Sequence, residues 1–133
     1  MEQNVAARAP MDPKVAKAVE EYRDMSAKMN ALIEKKQTAI TKLNENTLVR
    51  KELDLLEDEA PVFKLIGTVL VKQDLDEAKA NVKQRIDYID SDLKRMDNKL
   101  AAMQKDQAER GQRLVTLQKE VAAKAAKGKE EGK

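Results

Sequence analysis

Apolar residues recur at alternating steps of three and four along two long stretches of the chain. In the first stretch nine of twelve such positions are apolar, and the twelve are Val15, Ala18, Tyr22, Met25, Met29, Leu32, Lys36, Ala39, Leu43, Asn46, Arg50 and Leu53. In the second stretch eleven of fourteen are apolar, and the fourteen are Leu75, Lys79, Val82, Ile86, Ile89, Leu93, Met96, Leu100, Met103, Gln107, Arg110, Leu114, Leu117 and Val121. Such steps mark the a and d positions of heptads. The pattern therefore predicts two long coiled-coil helices.

Start and stop signals set the expected bounds of these helices. Asp12 can cap free amides and Pro13 is tolerated at a first helical position, so the first helix is predicted over 12–58, ending before Pro61. Asp74 followed by Glu77 is typical of a capping box, which predicts the second helix over 74–125. A flexible leader at 1–11 and a disordered tail at 126–133 are expected to flank them.

The connection between the helices is short, which favours an antiparallel return of the second helix along the first. If the bend lies near residue 66, residues whose numbers add to roughly 131 lie opposite each other. The predicted fold class is therefore mainly α, a long antiparallel two-helix coiled coil with one β-hairpin at the bend.

The predicted hairpin occupies residues 60–73, APVFKLIGTVLVKQ. β-Branched, aromatic and leucine residues lie on both sides of Gly67, which is typical of two short strands around a tight turn. Ile66 and Gly67 make a poor type I′ pair, so a type II turn or a slightly longer loop over 66–68 is expected.

Such a hairpin is marginal in water by itself, because it has apolar groups on both faces and unpaired edges. It could be a hydrophobic bend that caps the coil, but that needs only a few apolar residues. Seven apolar residues within positions 62–71 favour strand pairing between subunits, which would complete a shared sheet or barrel. The expected assembly residues are Val62, Phe63, Leu65, Ile66, Gly67, Val69, Leu70 and Val71.

Composition and charge narrow the class of protein. Aromatic residues make up only 2% of the chain, which argues against a compact globule, and the periodic 41% apolar content argues against disorder. Residues 13–57 hold 9 Lys or Arg and 8 Asp or Glu, and residues 74–124 hold 11 and 10. Positive and negative charges alternate along each of these segments. Nucleic-acid binding needs a continuous basic stripe, so no nucleic-acid partner is predicted.

The candidate chemistry is sparse. The chain has no Cys and no His, and its four glycines are scattered. These absences argue against nucleophilic catalysis, a metal site and a phosphate-binding loop. The sequence predicts no enzyme, no catalytic or metal site and no cofactor. Without a signal-like or membrane-spanning apolar run, a cytoplasmic protein with no membrane partner is expected.

One stretch interrupts the apolar pattern. Gln107, Arg110 and Gly111 are expected opposite Tyr22 and Met25, where packing should be poorer. This is either an ordinary coiled-coil irregularity or a loosened tip that can spread around a partner.

Acidic residues near the bend could steer docking or simply solvate a helix end, and they are Asp54, Glu57, Asp58 and Glu59.

The central block carries a family resemblance. VFKLIGTVLVKQDLDEA, residues 62–78, resembles the VFKLLGPVLVKQ-type segment of β-class prefoldin subunits, with departures at Ile66 and Thr68. LNENTLVRKELDLL at 43–56 and RIDYI at 85–89 are also similar to that family. The resemblance implies a heterohexamer of α- and β-class prefoldin subunits whose hairpins form a double β-barrel. It also implies that coiled-coil tips hold non-native polypeptides such as actin and tubulin, without ATP, and pass them to the cytosolic chaperonin.

The client-binding role is carried over only as a region, the first and last few turns of the coil. Methionines suit varied partners, and fraying helix ends could present such side chains, although each one could equally close the coil. An alternative function is a structural coiled-coil adaptor or scaffold subunit that holds no client. The expected client-holding residues are Val15, Val19, Tyr22, Met25, Met29, Leu114, Leu117 and Val121.

Overall fold

The computed structural model describes residues 11–131 of the chain. Helix α1 spans Pro13–Asp54, strand β1 spans Val62–Ile66, strand β2 spans Val69–Gln73, and helix α2 spans Leu75–Glu131. The two strands pair antiparallel between the two long helices. This arrangement confirms the predicted fold class.

Both helices begin where their capping residues indicate. Asp12 Oδ1 accepts the Lys14 N–H at 2.8 Å, and the Asp12 carbonyl accepts the Ala16 N–H at 2.8 Å. The Asp74 carbonyl accepts the Ala78 N–H at 2.9 Å. The side-chain bond satisfies an amide that a helix start otherwise leaves without a partner, and the two carbonyl bonds are the first backbone bonds of the helices. Local sequence therefore determines both starting points.

The C-terminal ends of the helices lie elsewhere than predicted. Helix α1 stops at Asp54 rather than 58, and the Leu55 N–H is shared between the carbonyls of Lys51 and Glu52, each at 3.2 Å. Such shared bonds are common where a helix unwinds. Helix α2 continues to Glu131, six residues beyond the predicted end at 125. Alanine and lysine are good helix formers, and the single Gly128 costs only about 1 kcal/mol. The predicted leader, apart from Met11, and residues 132–133 of the predicted tail lie outside the described residues.

The described chain divides into two compact units. The terminal unit contains residues up to Ala31 and from Ala101 onward, and the hairpin unit contains Leu32–Leu100. In the terminal unit a Cβ on Gly111 would lie 3.4 Å from Tyr22 Cε2. In the hairpin unit Lys36 Nζ lies 2.5 Å from Asp97 Oδ1. Within each unit, therefore, residues whose numbers add to 133 meet, close to the predicted register.

The hydrophobic core lies in the hairpin unit, where both helices approach the strands. Its members are 5–8% exposed, and Leu43 and Val62 pack against them. Burial of such side chains is the main favourable term in folding. The strands therefore start from a packed base. The core residues are Leu53, Leu75, Ala78, Val82 and Ile86.

The hairpin closes with a two-residue loop, Gly67 and Thr68, because Ile66 pairs with Val69 and Leu65 with Leu70. Gly67 has φ of 62°, and it is the only positive φ among the described residues. A positive φ at the first central position alone is the pattern of a type II′ turn, whose twist matches that of the strands. The expected type II turn is therefore wrong. Ile66 is a strand residue, which moves glycine to the first central position.

Substitution of Gly67 by alanine should destabilise the hairpin. The cost is backbone strain of about 1–2 kcal/mol, since nothing lies within 4 Å of the added Cβ. Faster hydrogen exchange at the amides of Val69–Gln73 would measure it.

Gly128→Ala is the matched control, because Gly128 is helical and also has nothing within 4 Å. It should stabilise helix α2 by up to about 1 kcal/mol and leave exchange in the hairpin unchanged. Equal effects of the two substitutions on hairpin exchange would contradict the turn assignment.

Candidate functional site

The hairpin presents apolar side chains on both of its faces. Successive side chains of a strand point to opposite faces, and directly paired residues share one. With the observed register, one face carries Phe63, Leu65, Leu70 and Lys72. The other face carries Val62, Lys64, Ile66, Val69, Val71 and Gln73.

Most of these apolar side chains remain uncovered. Their exposed fractions run from 44% to 66%, whereas Val62 is half-buried against the core. An exposed cluster of large apolar groups marks an interaction site. The structure thus brings the predicted assembly residues onto one exposed element. The exposed members are Phe63, Leu65, Ile66, Val69, Leu70 and Val71.

The edges of the hairpin are also unpaired. In the described part of the chain the sheet contains only β1 and β2, so each strand has one outer edge. Outer edges present N–H and C=O groups that another strand can pair with. Edges and faces together form a surface suited to strand addition from another polypeptide.

Further exposed apolar residues lie in the hairpin unit, and the sequence analysis did not name them as site residues. Leu55 is 85% exposed and Tyr88 is 66% exposed, far more than a core residue. They lie off the a and d positions, and that displacement is the signal that could have revealed them. The others are Ile33, Leu48, Val49 and Leu56.

The predicted client-holding residues lie in the terminal unit and are mostly packed. Val15 is only 6% exposed, and the other seven are half-buried. The structure therefore brings them into the contact between the helices. Presenting them to another polypeptide requires the two helices of this unit to separate locally. The seven are Val19, Tyr22, Met25, Met29, Leu114, Leu117 and Val121.

A polar layer crosses the terminal unit at Gln107. Its Nε2 donates to Ser26 Oγ at 2.6 Å and to the Tyr22 carbonyl at 3.3 Å. Ser26 Oγ donates to the same carbonyl at 3.2 Å. Gln107 Oε1 is buried without a hydrogen-bond partner, which costs about 1–3 kcal/mol. The layer links the helices but leaves this contact weaker than an apolar one.

Arg110 adds charges next to this layer. Its Nε donates to Asp106 Oδ2 at 3.0 Å, and a terminal nitrogen donates to Glu21 Oε2 at 3.2 Å. The hydrogen bond and charge of Asp106, followed by the charge of Glu21, raise the pKa of Arg110 above its usual value. The guanidinium is thus held between two carboxylates, one from its own helix and one from the partner helix. The predicted interruption at 107–111 is thus a bonded polar layer, with the Tyr22 ring beside Gly111.

Neither described helix contains an apolar stretch that could span a bilayer. Among the described residues, no three carboxylates lie close enough together to bind a metal ion.

Replacing Gln107 with leucine should stabilise the terminal unit by about 1 kcal/mol, because it removes the buried orphan oxygen while Ser26 keeps its bond to Tyr22. Slower hydrogen exchange of the amides around residues 22–29 and 103–114 would measure the gain.

Gln104→Leu is the matched control on the same helix, since Gln104 is exposed. It should change the free energy of unfolding, as measured by hydrogen exchange, by less than about 0.5 kcal/mol. A stability loss in Gln107→Leu would show that the layer stabilises the unit instead.

Comparisons with known proteins agree with this architecture. The model of the prefoldin subunit family matches residues 16–126. Prefoldin subunit 6 of Arabidopsis thaliana is 53% identical over 89 residues, which is 67% of each chain. Prefoldin subunit 6 of Homo sapiens is 38% identical over 116 residues, covering 86% of this chain and 90% of the relative.

A solved structure shares the fold. The prefoldin beta subunit from Thermococcus strain KS-1 superimposes with a TM-score of 0.74 at 21% identity, covering 83% of this chain and 96% of that one. The resemblance seen in the central block is thereby confirmed. With a family match over most of its length and relatives of this identity, the chain belongs to the prefoldin family.

Proposed function

We propose that this chain is a β-class subunit of the prefoldin chaperone complex, a hexamer that holds unfolded actin- or tubulin-like polypeptides without ATP and delivers them to the cytosolic chaperonin. Its direct partners are the other α- and β-class prefoldin subunits. The observation that carries the proposal is the hairpin, whose apolar faces and strand edges are uncovered in the single chain.

Assembly follows from what the hairpin lacks. Water can form hydrogen bonds with the backbone groups at its edges, but the exposure of its leucine, isoleucine and phenylalanine side chains to water is unfavourable. Strands from neighbouring subunits would pair with the edges and cover the faces together, as closure does in barrels. The packed base under Val62 holds the hairpin in place for that pairing. One hairpin per chain is the arrangement that the β class implies.

The proposed action is binding alone. Prefoldin is a chaperone family, and the chain has neither Cys nor His to supply a nucleophile or a base near neutral pH. Holding a polypeptide by apolar contacts needs no cofactor. We place this activity in the cytoplasm, where such clients and the chaperonin occur.

Client binding is proposed for the terminal unit. Its polar layer and its half-buried apolar positions make local separation of the helices less costly than in the hairpin unit. Separation would expose Met25 and Met29, whose flexible side chains adapt to varied surfaces. Weak contacts at several subunits would then add through effective concentration.

A structural adaptor without clients is the second candidate. The burial of Val15 favours it, since a residue that is 6% exposed closes the coil rather than meeting a client. An adaptor would use the hairpin for assembly and keep the terminal unit shut. The two candidates therefore differ only in whether the terminal unit opens.

Leu65→Asp should prevent assembly with partner prefoldin subunits, because it places a charge between the paired apolar groups of one hairpin face. Size-exclusion chromatography with light scattering should show that the hexamer no longer forms. The dissociation constant of the complex should rise about tenfold or more. Lys72→Asp is the control, since it exchanges one charge for another on the same face. Hexamers of unchanged stability with Leu65→Asp would exclude hairpin-driven assembly.

Shortening the subunit to residues 32–100 removes the terminal unit and retains the hairpin unit. Complexes carrying this subunit should still assemble but should suppress aggregation of denatured actin less well, as light scattering would show. The matched control is Val115→Ala, which trims an exposed side chain of the same unit and should leave suppression intact. Full suppression by the shortened complex would favour the adaptor.

A further inference from the structure

A groove runs beside the base of the hairpin, where β1 lies against both helices. It consists of two cavities of about 590 and 360 Å³ that share Lys64, Asn81 and Arg85. The surface of both cavities is mainly apolar, with Tyr88 and Ile89 in the larger cavity and Val62 and Leu65 in the smaller one.

The charge around this groove has one sign. Lys42, Lys64 and Arg85 line it, and none of the three forms an ion pair with another described residue. Neither cavity is lined by a carboxylate. The chain as a whole is nearly balanced, with 26 basic and 24 acidic residues, so this is a local excess. The groove suits a segment that combines an apolar side chain with carboxylates.

The loop between α1 and β1 has that chemistry. Leu55 is 85% exposed and Leu56 is 40% exposed, and Glu57, Asp58 and Glu59 follow directly. The Ala60 N–H donates to the Glu57 carbonyl at 2.9 Å, which closes a turn in the loop. An aliphatic side chain is thus presented in front of three negative charges.

The loop does not occupy the groove of its own chain. None of its residues lines either cavity. Asp58 and Glu59 instead border a separate cavity of about 400 Å³ with Lys72. An apolar anchor with acidic neighbours and a basic apolar groove are therefore both unpartnered within one chain.

We propose that the groove binds the acidic loop of a second copy of this chain. Leu55 of one copy packs on Tyr88 and Ile89 of the other, and its carboxylates approach the cations at the rim. The contact joins two different surfaces, so copies associate head to tail. This inference rests on the hairpin pairing of the proposed function but not on client holding, because it concerns copies of this chain alone.

The contact is small. The loop at residues 55–61 covers far less than the roughly 800 Å² that each partner buries in a standard interface. It therefore adds to pairing of the exposed hairpins, which brings loop and groove to a high effective concentration.

A cross-linking experiment tests which atoms meet. Equal amounts of ¹⁴N- and ¹⁵N-labelled full-length chain are treated with a carbodiimide, and cross-linked peptides are identified by mass spectrometry. Links of Lys42 or Lys64 to residues 57–59 should include pairs of one light and one heavy peptide, which only a link between two copies can produce. Links of Lys72 to Asp58 or Glu59 are the internal control and should join peptides of equal label. Only equal-label links at Lys42 and Lys64 would overturn the proposal.

Charge reversal tests the energetics. Arg85→Glu and the double variant Glu57→Lys, Glu59→Lys should each weaken self-association about threefold to tenfold in sedimentation velocity, and mixing them should restore it. Lys83→Glu, an exposed position two residues before Arg85, should have no effect. Circular dichroism confirms that each variant is folded.

Two results would overturn the proposal. One is a chain that stays monomeric across the concentration series. The other is an Arg85→Glu defect that appears only with partner subunits, which would assign the groove to a different protein. Normal assembly of the unsubstituted chain with those partners would leave the proposed function standing in both cases.

Discussion

The hairpin at 62–73 places six large apolar side chains in water and leaves two strand edges unpaired, and the rest of the molecule is organised around this condition. A two-stranded sheet has no interior, so no arrangement of its own residues can cover both faces. The core beneath it, centred on Leu53 and Leu75, buries side chains of both helices and of Val62. That core fixes the position of the hairpin but does not cover its exposed apolar side chains. Such an arrangement is expected of a subunit rather than of a free-standing domain.

The two units differ in how much they bury. Five of the six buried hydrophobic residues among those described lie in the hairpin unit, and only Val15 lies in the terminal unit. The terminal unit also contains the polar layer at Gln107 and the charges around Arg110. Local stability follows apolar burial, so opening should cost least where the layer lies. Assembly and client contact, as proposed, would thus use opposite properties of the two units, a buried core in the hairpin unit and a weaker helix contact in the terminal unit.

Charge has a supporting role in this scheme. Alternating signs keep the long helices solvated, and the observed ion pairs are surface contacts of small individual energy. The groove by Tyr88 and the loop at Leu55 are exceptions, because there the cations and the carboxylates are segregated on separate surfaces. Segregated charges next to exposed apolar groups favour a particular partner and orientation, whereas mixed charges favour only solubility.

The sequence by itself determined the helices, the cap at Asp12 and the hairpin, because heptad periodicity, Asp12 and the β-branched run act through residues close in the chain. It also indicated the apolar hairpin residues that the structure leaves exposed, since seven apolar groups gather around Gly67. The a and d pattern leaves Leu55 and Tyr88 outside the predicted helix contact, but only the packing of the elements decided how exposed they are. Tertiary structure decided the turn, because pairing of Ile66 with Val69 moved glycine to the first central position. It alone joined Gln107 to Ser26, 81 residues apart, and enclosed the groove between strand and helices. Contacts of that separation depend on the packing of whole elements, and no local pattern encodes them.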